Sequence, residues 1–308
     1  MITDTRDKPN REKLHEGTTS GQIAMPICVF ELDELGVSRD FLLTTCGAFY
    51  ELPWDLYDVR LQQIMLLTAA VGPPDGRENE LFRSYYSGAA PIAAIDHLLV
   101  NLSVDQRNDF GNIQPFRRRS ISRFILTYSD KAGQWCTERV SARNFSQAYG
   151  SIYRDAHFDY RRSQREFAET HQDIVENVPF QTLLSGLAML LKQYAEVAIT
   201  HLDITCHHTY VEAARGRDGN NSPEGIHQDG YDCIVSALVV DRKDIEGAAS
   251  QIFDGNGKRL LVKTLQPGQG ILQPDKGTDL WHNVTPLSVS ANAQKGYRSS
   301  IGFDITVL

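Results

Sequence analysis

The chain has little that would tie it to a membrane, an oxidising compartment or a nucleic acid. No apolar run approaches the ~18 residues that a membrane helix needs. The opening stretch MITDTRDKPNREKLHEG is polar and lacks the apolar segment of a secretory leader. The five cysteines, Cys28, Cys46, Cys136, Cys206 and Cys233, are odd in number and contain no CxxC pair. That argues against a disulfide framework or a thiolate zinc site, and a reducing cytoplasm is the expected setting. Cations are outnumbered, with 31 Lys and Arg against 39 Asp and Glu and a net charge of −8. Binding to nucleic-acid phosphates would therefore depend on a local basic patch. The best candidate, Arg117-Arg118-Arg119 with Arg123 close behind, reads as a solvated edge or a set of local ion pairs. Also missing are GxSxG, a Walker A loop, a GxGxxG after a strand, internal repeats and low-complexity tracts.

What is there suits a soluble globular protein: 308 residues, 41% hydrophobic and 23% charged, enough chain to bury a substantial core. Residues 1–22 are polar and predict a disordered tail. A short strand follows in IAMPICVFEL. Ser38 then caps a helix predicted to reach about Tyr50, Pro53 interrupts it, and LPWDLYDVRLQQIMLL resumes as turn and helix. Pro73-Pro74-Asp75-Gly76 is a break, and PIAAIDHLLVNL starts a helix at Pro91. SRFILTYS and QWCTERVSA read as strands around a turn at Asp130–Gly133. A helical pair is predicted from about 155 to 196, its second member starting at Pro179. Leu183, Leu187, Leu190, Leu191 and Tyr194 form an apolar stripe for packing on a sheet. From about Val197 onward, short strands alternate with Gly, Pro and Asp turns, as in a sandwich or barrel.

The chemistry concentrates late in the chain. In SPEGIHQDGYD, His227 and Asp229 stand two positions apart. On an extended strand they share a face, so imidazole and carboxylate can bind one metal. His282, in DLWHNVTPL, supplies a third donor, and two histidines with one carboxylate are the ligand set of non-haem iron(II) oxygenases. In GYRSSIGFDITV, strand alternation puts Arg298, Ser300, Gly302 and Asp304 on one face, and Tyr297, Ile301, Phe303 and Ile305 on the other. An inward arginine beside a hydroxyl suits a buried carboxylate; the plainer alternative pairs Arg298 with Asp304 or another acid.

In order and spacing, these residues resemble the iron(II)- and 2-oxoglutarate-dependent dioxygenases. The longer pattern SPEGIHQDGYD, HNVTPL, GYRSSIGF looks like the subfamily of bacterial free-amino-acid hydroxylases that includes the L-isoleucine dioxygenases. The match spans roughly Pro223 to Phe303, with LPWDLYDVR and FRRRSISRF resembling that subfamily more loosely. Departures are Gly247-Ala248-Ala249, where relatives carry a Gly-Gly pair, and the loop RGRDGNN. The resemblance implies a mainly β fold with flanking helices and a double-stranded β-helix (jelly-roll, cupin-like) core over 115–308. A helical region over 23–114 would pack on it, in one catalytic domain. It implies Fe(II) on His227, Asp229 and His282 as the catalytic centre, 2-oxoglutarate anchored by Arg298 and Ser300, O2 as oxidant and ascorbate as an accessory reductant. The implied reaction hydroxylates an unactivated C–H of a free amino acid or related small molecule and releases succinate and CO2. Asp229 occupies the position that related halogenases leave open for chloride, so hydroxylation is the implied outcome.

A free amino acid needs a partner for its own carboxylate, and Arg118 is singled out for that, with Tyr231 as a pocket-lining candidate. His207 and His208 face opposite ways on a strand, so at most one shares a face with a ligand, and Gln228 points away from the metal. Rival readings are a zinc hydrolase on the same ligands with Glu224 as base, a non-catalytic 2-oxoglutarate or metal sensor, and a hydroxylase of a peptide- or carrier-bound residue. A small-molecule partner is expected, without nucleic acid or membrane. The sequence leaves the oligomeric state open, a homodimer included.

Overall fold

The computed structural model describes residues 25–142, 144–145, 160, 165–195, 198–223 and 225–308. The tail expected over 1–22, the start of the helical pair near 155 and Glu224 lie outside these.

The N-terminal region is more than helical. It opens with a strand, β1 (Cys28–Glu31), and a 3-10 turn (Leu32–Leu35). Ser38 Oγ accepts from Asp40 N at 3.2 Å at the start of α1 (Asp40–Thr45). This helix is shorter than predicted, tightening into a 3-10 turn over Cys46–Glu51. The hydroxyls of Thr44 and Thr45 donate back to Phe41 O, a bond that competes with the helical ladder. α2 (Tyr57–Val71), α3 (Gly76–Ser87), α4 (Asp96–Leu99) and α5 (Val104–Asn112) follow. Asp75 caps α3 through Arg77 N and Glu78 N, and Glu78 returns a bond to Asp75 N. Pro91 precedes a 3-10 turn (Ile92–Ile95) that leads into α4 in place of one continuous helix.

Then come β2 (Arg117–Ser129), β3 (Gln134–Val140), β4 (Asn144–Phe145), β5 (Arg165–Glu166), α6 (Gln172–Val175), α7 (Val178–Tyr194) and β6 (His201–Ala214). Of the predicted helical pair, α7 is long and α6 is a single turn. The last third holds β7 (Cys233–Lys243), β8 (Ile245–Gly247), β9 (Ser250–Phe253), β10 (Arg259–Lys263), β11 (Gln269–Pro274), β12 (Trp281–Val284), β13 (Leu287–Val289) and β14 (Lys295–Val307). Among the described residues, no helix is long and apolar enough to cross a membrane.

A seven-stranded sheet in the order β1-β11-β7-β14-β6-β2-β3 is antiparallel throughout. Its outer face carries Phe124, Leu126, Ile204, Cys206, Ile301, Phe303 and Ile305, which pack against α7 through Phe180, Leu183, Leu187 and Leu191. Gly186 lets α7 approach the 3-10 turn Leu32–Leu35 as well: a Cβ there would stand 2.4 Å from Leu35 O. The inner face meets a smaller layer, β10-β9-β12 with the pair β8-β13 beside it. Val211 and Ala213 pack on Val284 and Leu287, while Ala237, Val239 and Ile271 pack on Ile252 and Leu280. The two facing layers, mostly antiparallel and flanked by helices, form a jelly-roll core. α2, α3 and α5 gather a separate apolar cluster that reaches the inner-face residue Ile121 and borders Phe167 and Tyr231. The helices therefore cover the side of the barrel where β2 and the 227–231 segment meet.

Candidate active site

The histidines come together because their backbones pair. His227 N donates to His282 O at 3.0 Å and His282 N donates to His227 O at 2.9 Å, a single antiparallel bridge that adds residue 227 to the edge of β12. The expectation of an extended strand through His227 and Asp229 is corrected here. Only His227 is in register; Asp229 lies in the turn that follows, where Gly230 takes φ 90°, a value closed to most side chains. The carboxylate reaches both rings all the same. His227 Nε2 is 3.3 Å from Asp229 Oδ1, and His282 Nε2 is 3.3 Å from Asp229 Oδ2. Cis ligands of an octahedral ion bound at ~2.1 Å would stand about 3 Å apart, so little adjustment separates these donors from coordination. His227 Nδ1 donates to Gly225 O at 2.8 Å, which fixes the tautomer and turns the Nε2 lone pair inward. Burial opposes ionisation of Asp229, but His282 and His227 beside it hold its carboxyl well below the ordinary range.

Gln228 points away from the donors and pins their turn. Its Nε2 faces the carbonyls of Leu280, Thr278 and Asp275 at 2.8, 3.0 and 3.3 Å. Asp275 grips the same turn from below, its Oδ2 accepting from Gly230 N at 2.7 Å and Tyr231 N at 3.2 Å. Burial, and then the charge of Asp229, push the Asp275 carboxyl up to about 7.

Arg298 lies on the inner face of β14, in register with Val211, which packs against Val284 two residues beyond His282. It is 1% exposed, and none of its three guanidinium nitrogens meets an acceptor among the described residues. The plainer alternative, an ion pair with Asp304, does not form: Asp304 bonds His207 instead. Ser300 follows on the same face, also buried. Burial, and then nearby Arg242, lower the Arg298 pKa to about 10, still charged at neutral pH. Burying a guanidinium without an anion costs several kcal/mol relative to water, so this cradle suits an incoming carboxylate.

The basic run divides by strand alternation. Arg118 faces outward, stacked 4.0 Å over Trp54 and donating to Leu52 O. Its expected role with substrate is therefore corrected: β2 turns this side chain away from the metal side. Arg117 pairs with Asp55 and Asp58, and Arg123 with Asp203. Arg119 faces inward and bonds His207 at 2.7 Å. The sequence leaves open which of His207 and His208 shares a face with a ligand and puts Asp304 on the face of Arg298, but only the register of β2, β6 and β14 lines Arg119, His207 and Asp304 up. His208 faces the helices, between Phe49 and Phe180, where burial drops its pKa to about 3 and keeps it neutral. Tyr231 is partly buried beside the apolar cluster of the helices.

The sequence profile of the 2OG-Fe dioxygenases matches residues 98–304, two thirds of the chain. The chain belongs to that family. Family membership implies an oxygenase that uses Fe(II), 2-oxoglutarate and O2. The fold agrees with a solved bsmA homolog from Methylobium petroleophilum PM1, at TM-score 0.61 and 18% identity over 91% of this chain and 88% of that one. IDO from Bacillus thuringiensis aligns at TM-score 0.48 and 16% identity over 62% and 74% of the two chains. The Fe(II)/(alpha)ketoglutarate-dependent dioxygenase TqaL aligns at 0.44 and 16% over 82% and 89%. No curated protein matches the sequence significantly.

Proposed function

We propose that this oxygenase hydroxylates an unactivated C–H of a free amino acid or a closely related small molecule: R–H, 2-oxoglutarate and O2 give R–OH, succinate and CO2. His227, Asp229 and His282 would hold Fe(II), with both imidazoles binding through Nε2. Once bound, the iron supplies the oxygen-activating chemistry, and one oxygen atom enters succinate and the other the product. The chain's own residues do the rest. Gln228 and Asp275 hold the ligand turn in place. Arg298, with Ser300, takes the distal carboxylate of 2-oxoglutarate through a charge-assisted fork. The helical cluster around Phe167 and Tyr231 limits water at the substrate side.

The observation that carries this reading is the buried Arg298 whose three nitrogens find no acceptor among the described residues. A zinc hydrolase on the same donors would have no use for it. The apolar cluster of the helices beside Tyr231 favours a small substrate over a peptide or carrier protein. The ion pairs of Arg117 and Arg123 likewise leave the basic run little to offer a nucleic acid.

The test is anaerobic addition of Fe(II) and 2-oxoglutarate, followed by air. The expected results are a visible charge-transfer band, then succinate release accelerated by a free amino acid that gains one oxygen in mass. Zinc-supported hydrolysis without succinate release would reject the proposal.

A further inference from the structure

On the inner face of the main sheet, one hydrogen-bonded line crosses three neighbouring strands. Arg119 Nη2 on β2 meets His207 Nδ1 on β6 at 2.7 Å, and His207 Nε2 meets Asp304 Oδ2 on β14 at 2.7 Å. A guanidinium only donates, so Nδ1 is the acceptor. A neutral imidazole then carries its proton on Nε2, aimed at Asp304. Burial, and next the positive charge of Arg119, hold His207 neutral by pushing its pKa well below 6.5. The ring thus stands between a guanidinium and a carboxylate and fixes their separation.

This line lies on the metal side: Asp304 is in register with Ile234 of β7, five residues beyond Asp229. Burial, and then the charge of Asp229, push the Asp304 carboxyl well above the ordinary range, and an ammonium placed against it is what restores the carboxylate. Tyr231 lies within the fields of Asp304, Asp229 and Arg119. Arg119 is two strands away from β14, about 10 Å at the usual strand spacing, in the row of Ser300. Its guanidinium lies 4.5 Å over Phe167, so an apolar wall adjoins the charged one. Arg165 stands over the same ring, at 5.7 Å, and adds positive potential.

We infer that Arg119 and Asp304 are the two poles of a substrate subsite that holds a free α-amino acid as its zwitterion, with Arg119 taking the carboxylate, Asp304 the ammonium and His207 setting the span. This deepens, and rests on, the oxygenase reading above. A peptide-bound residue lacks one or both charges and would leave a pole without its counterpart.

The experiment uses the anaerobic enzyme loaded with Fe(II) and 2-oxoglutarate. Each proteinogenic L-amino acid is added in turn, and binding is read as a change in the charge-transfer band. The carboxamide and the N-acetyl form of the tightest binder are then titrated. The wild type should bind the parent acid roughly 30-fold or more tighter than either derivative, the low end of what removing one partner of a buried charge pair costs. Arg119→Gln should erase the discrimination against the carboxamide and keep that against the N-acetyl form. Asp304→Asn should do the reverse. That crossed pattern is not a product of general damage. Derivatives binding the wild type as tightly as the parent acid would overturn the inference without any variant. So would loss of both discriminations together in either variant, or a band that no amino acid perturbs. Absence of the band in the wild type would instead bring down the oxygenase reading on which the inference stands.

Discussion

On the proposed reading, Arg298 stores instability that 2-oxoglutarate would relieve. Replacing it by Met removes a buried charge without an internal partner, so the ligand-free protein should melt at a higher temperature than the wild type. The same variant should bind 2-oxoglutarate about 100-fold more weakly, a loss of ~3 kcal/mol in the range for one side of a buried charge pair, with iron binding retained. Thermal melts with and without 2-oxoglutarate check both; a lower ligand-free melting temperature would mean that the guanidinium is already satisfied. Asp275 sets a second residue-scale expectation. Its folded pKa, about 7, is raised above the ordinary 3.8, chiefly by burial. Between those values the metal-free folded chain holds a proton that the unfolded chain has lost, so this group makes stability fall as pH rises across that window. Asp275→Asn keeps an acceptor oxygen for Gly230 N and Tyr231 N and removes the titration. Urea unfolding of the metal-free protein should show a shallower decline from pH 4 to 7 in the variant, and equal slopes would refute the assignment.

At the scale of elements, the clamp on the 227–231 turn is what makes two distant segments one site. Gln228→Ala should weaken iron roughly 10- to 100-fold, the usual cost of losing a ligand's support. It should leave the Arg298 cradle untouched, as iron titrations at saturating 2-oxoglutarate would show. How far such features could be read beforehand depended on their period. The alternation of β14 puts Arg298, Ser300 and Asp304 on one face from sequence alone, and the leucine stripe of α7 is equally legible. The alternation of β2 is legible too, but not its phase against β6, so nothing in the run Arg117-Arg118-Arg119 told which guanidinium turned inward. α3 and α5 were missed because their buried residues are few, Phe82, Tyr85 and Tyr86 in one and Phe110 in the other. The capping boxes at Asp75 and Ser103 were the available signal.

On the scale of the molecule, the helical cluster and the barrel share residues, since Ile121 of β2 belongs to the cluster built by α2, α3 and α5. The two should melt as one unit. Leu67→Ala, at a position fully buried in that cluster, should cost about 2–5 kcal/mol and shift a single transition seen alike by circular dichroism and tryptophan fluorescence. Two separated transitions would show that the helices fold independently.

The order of strands also dictates an order in time. β14 leaves the ribosome after both of its neighbours, β6 and β7, and must slide between them to complete the sheet. Pairings so remote along the chain make for slow folding, and the last strand to arrive carries Arg298, Ser300 and Asp304. On the proposed reading, a nascent chain stalled before that insertion could gather His227 and His282 yet would lack the guanidinium proposed to recruit the oxidisable keto acid, which would spare the growing polypeptide idle turnover at a half-built centre.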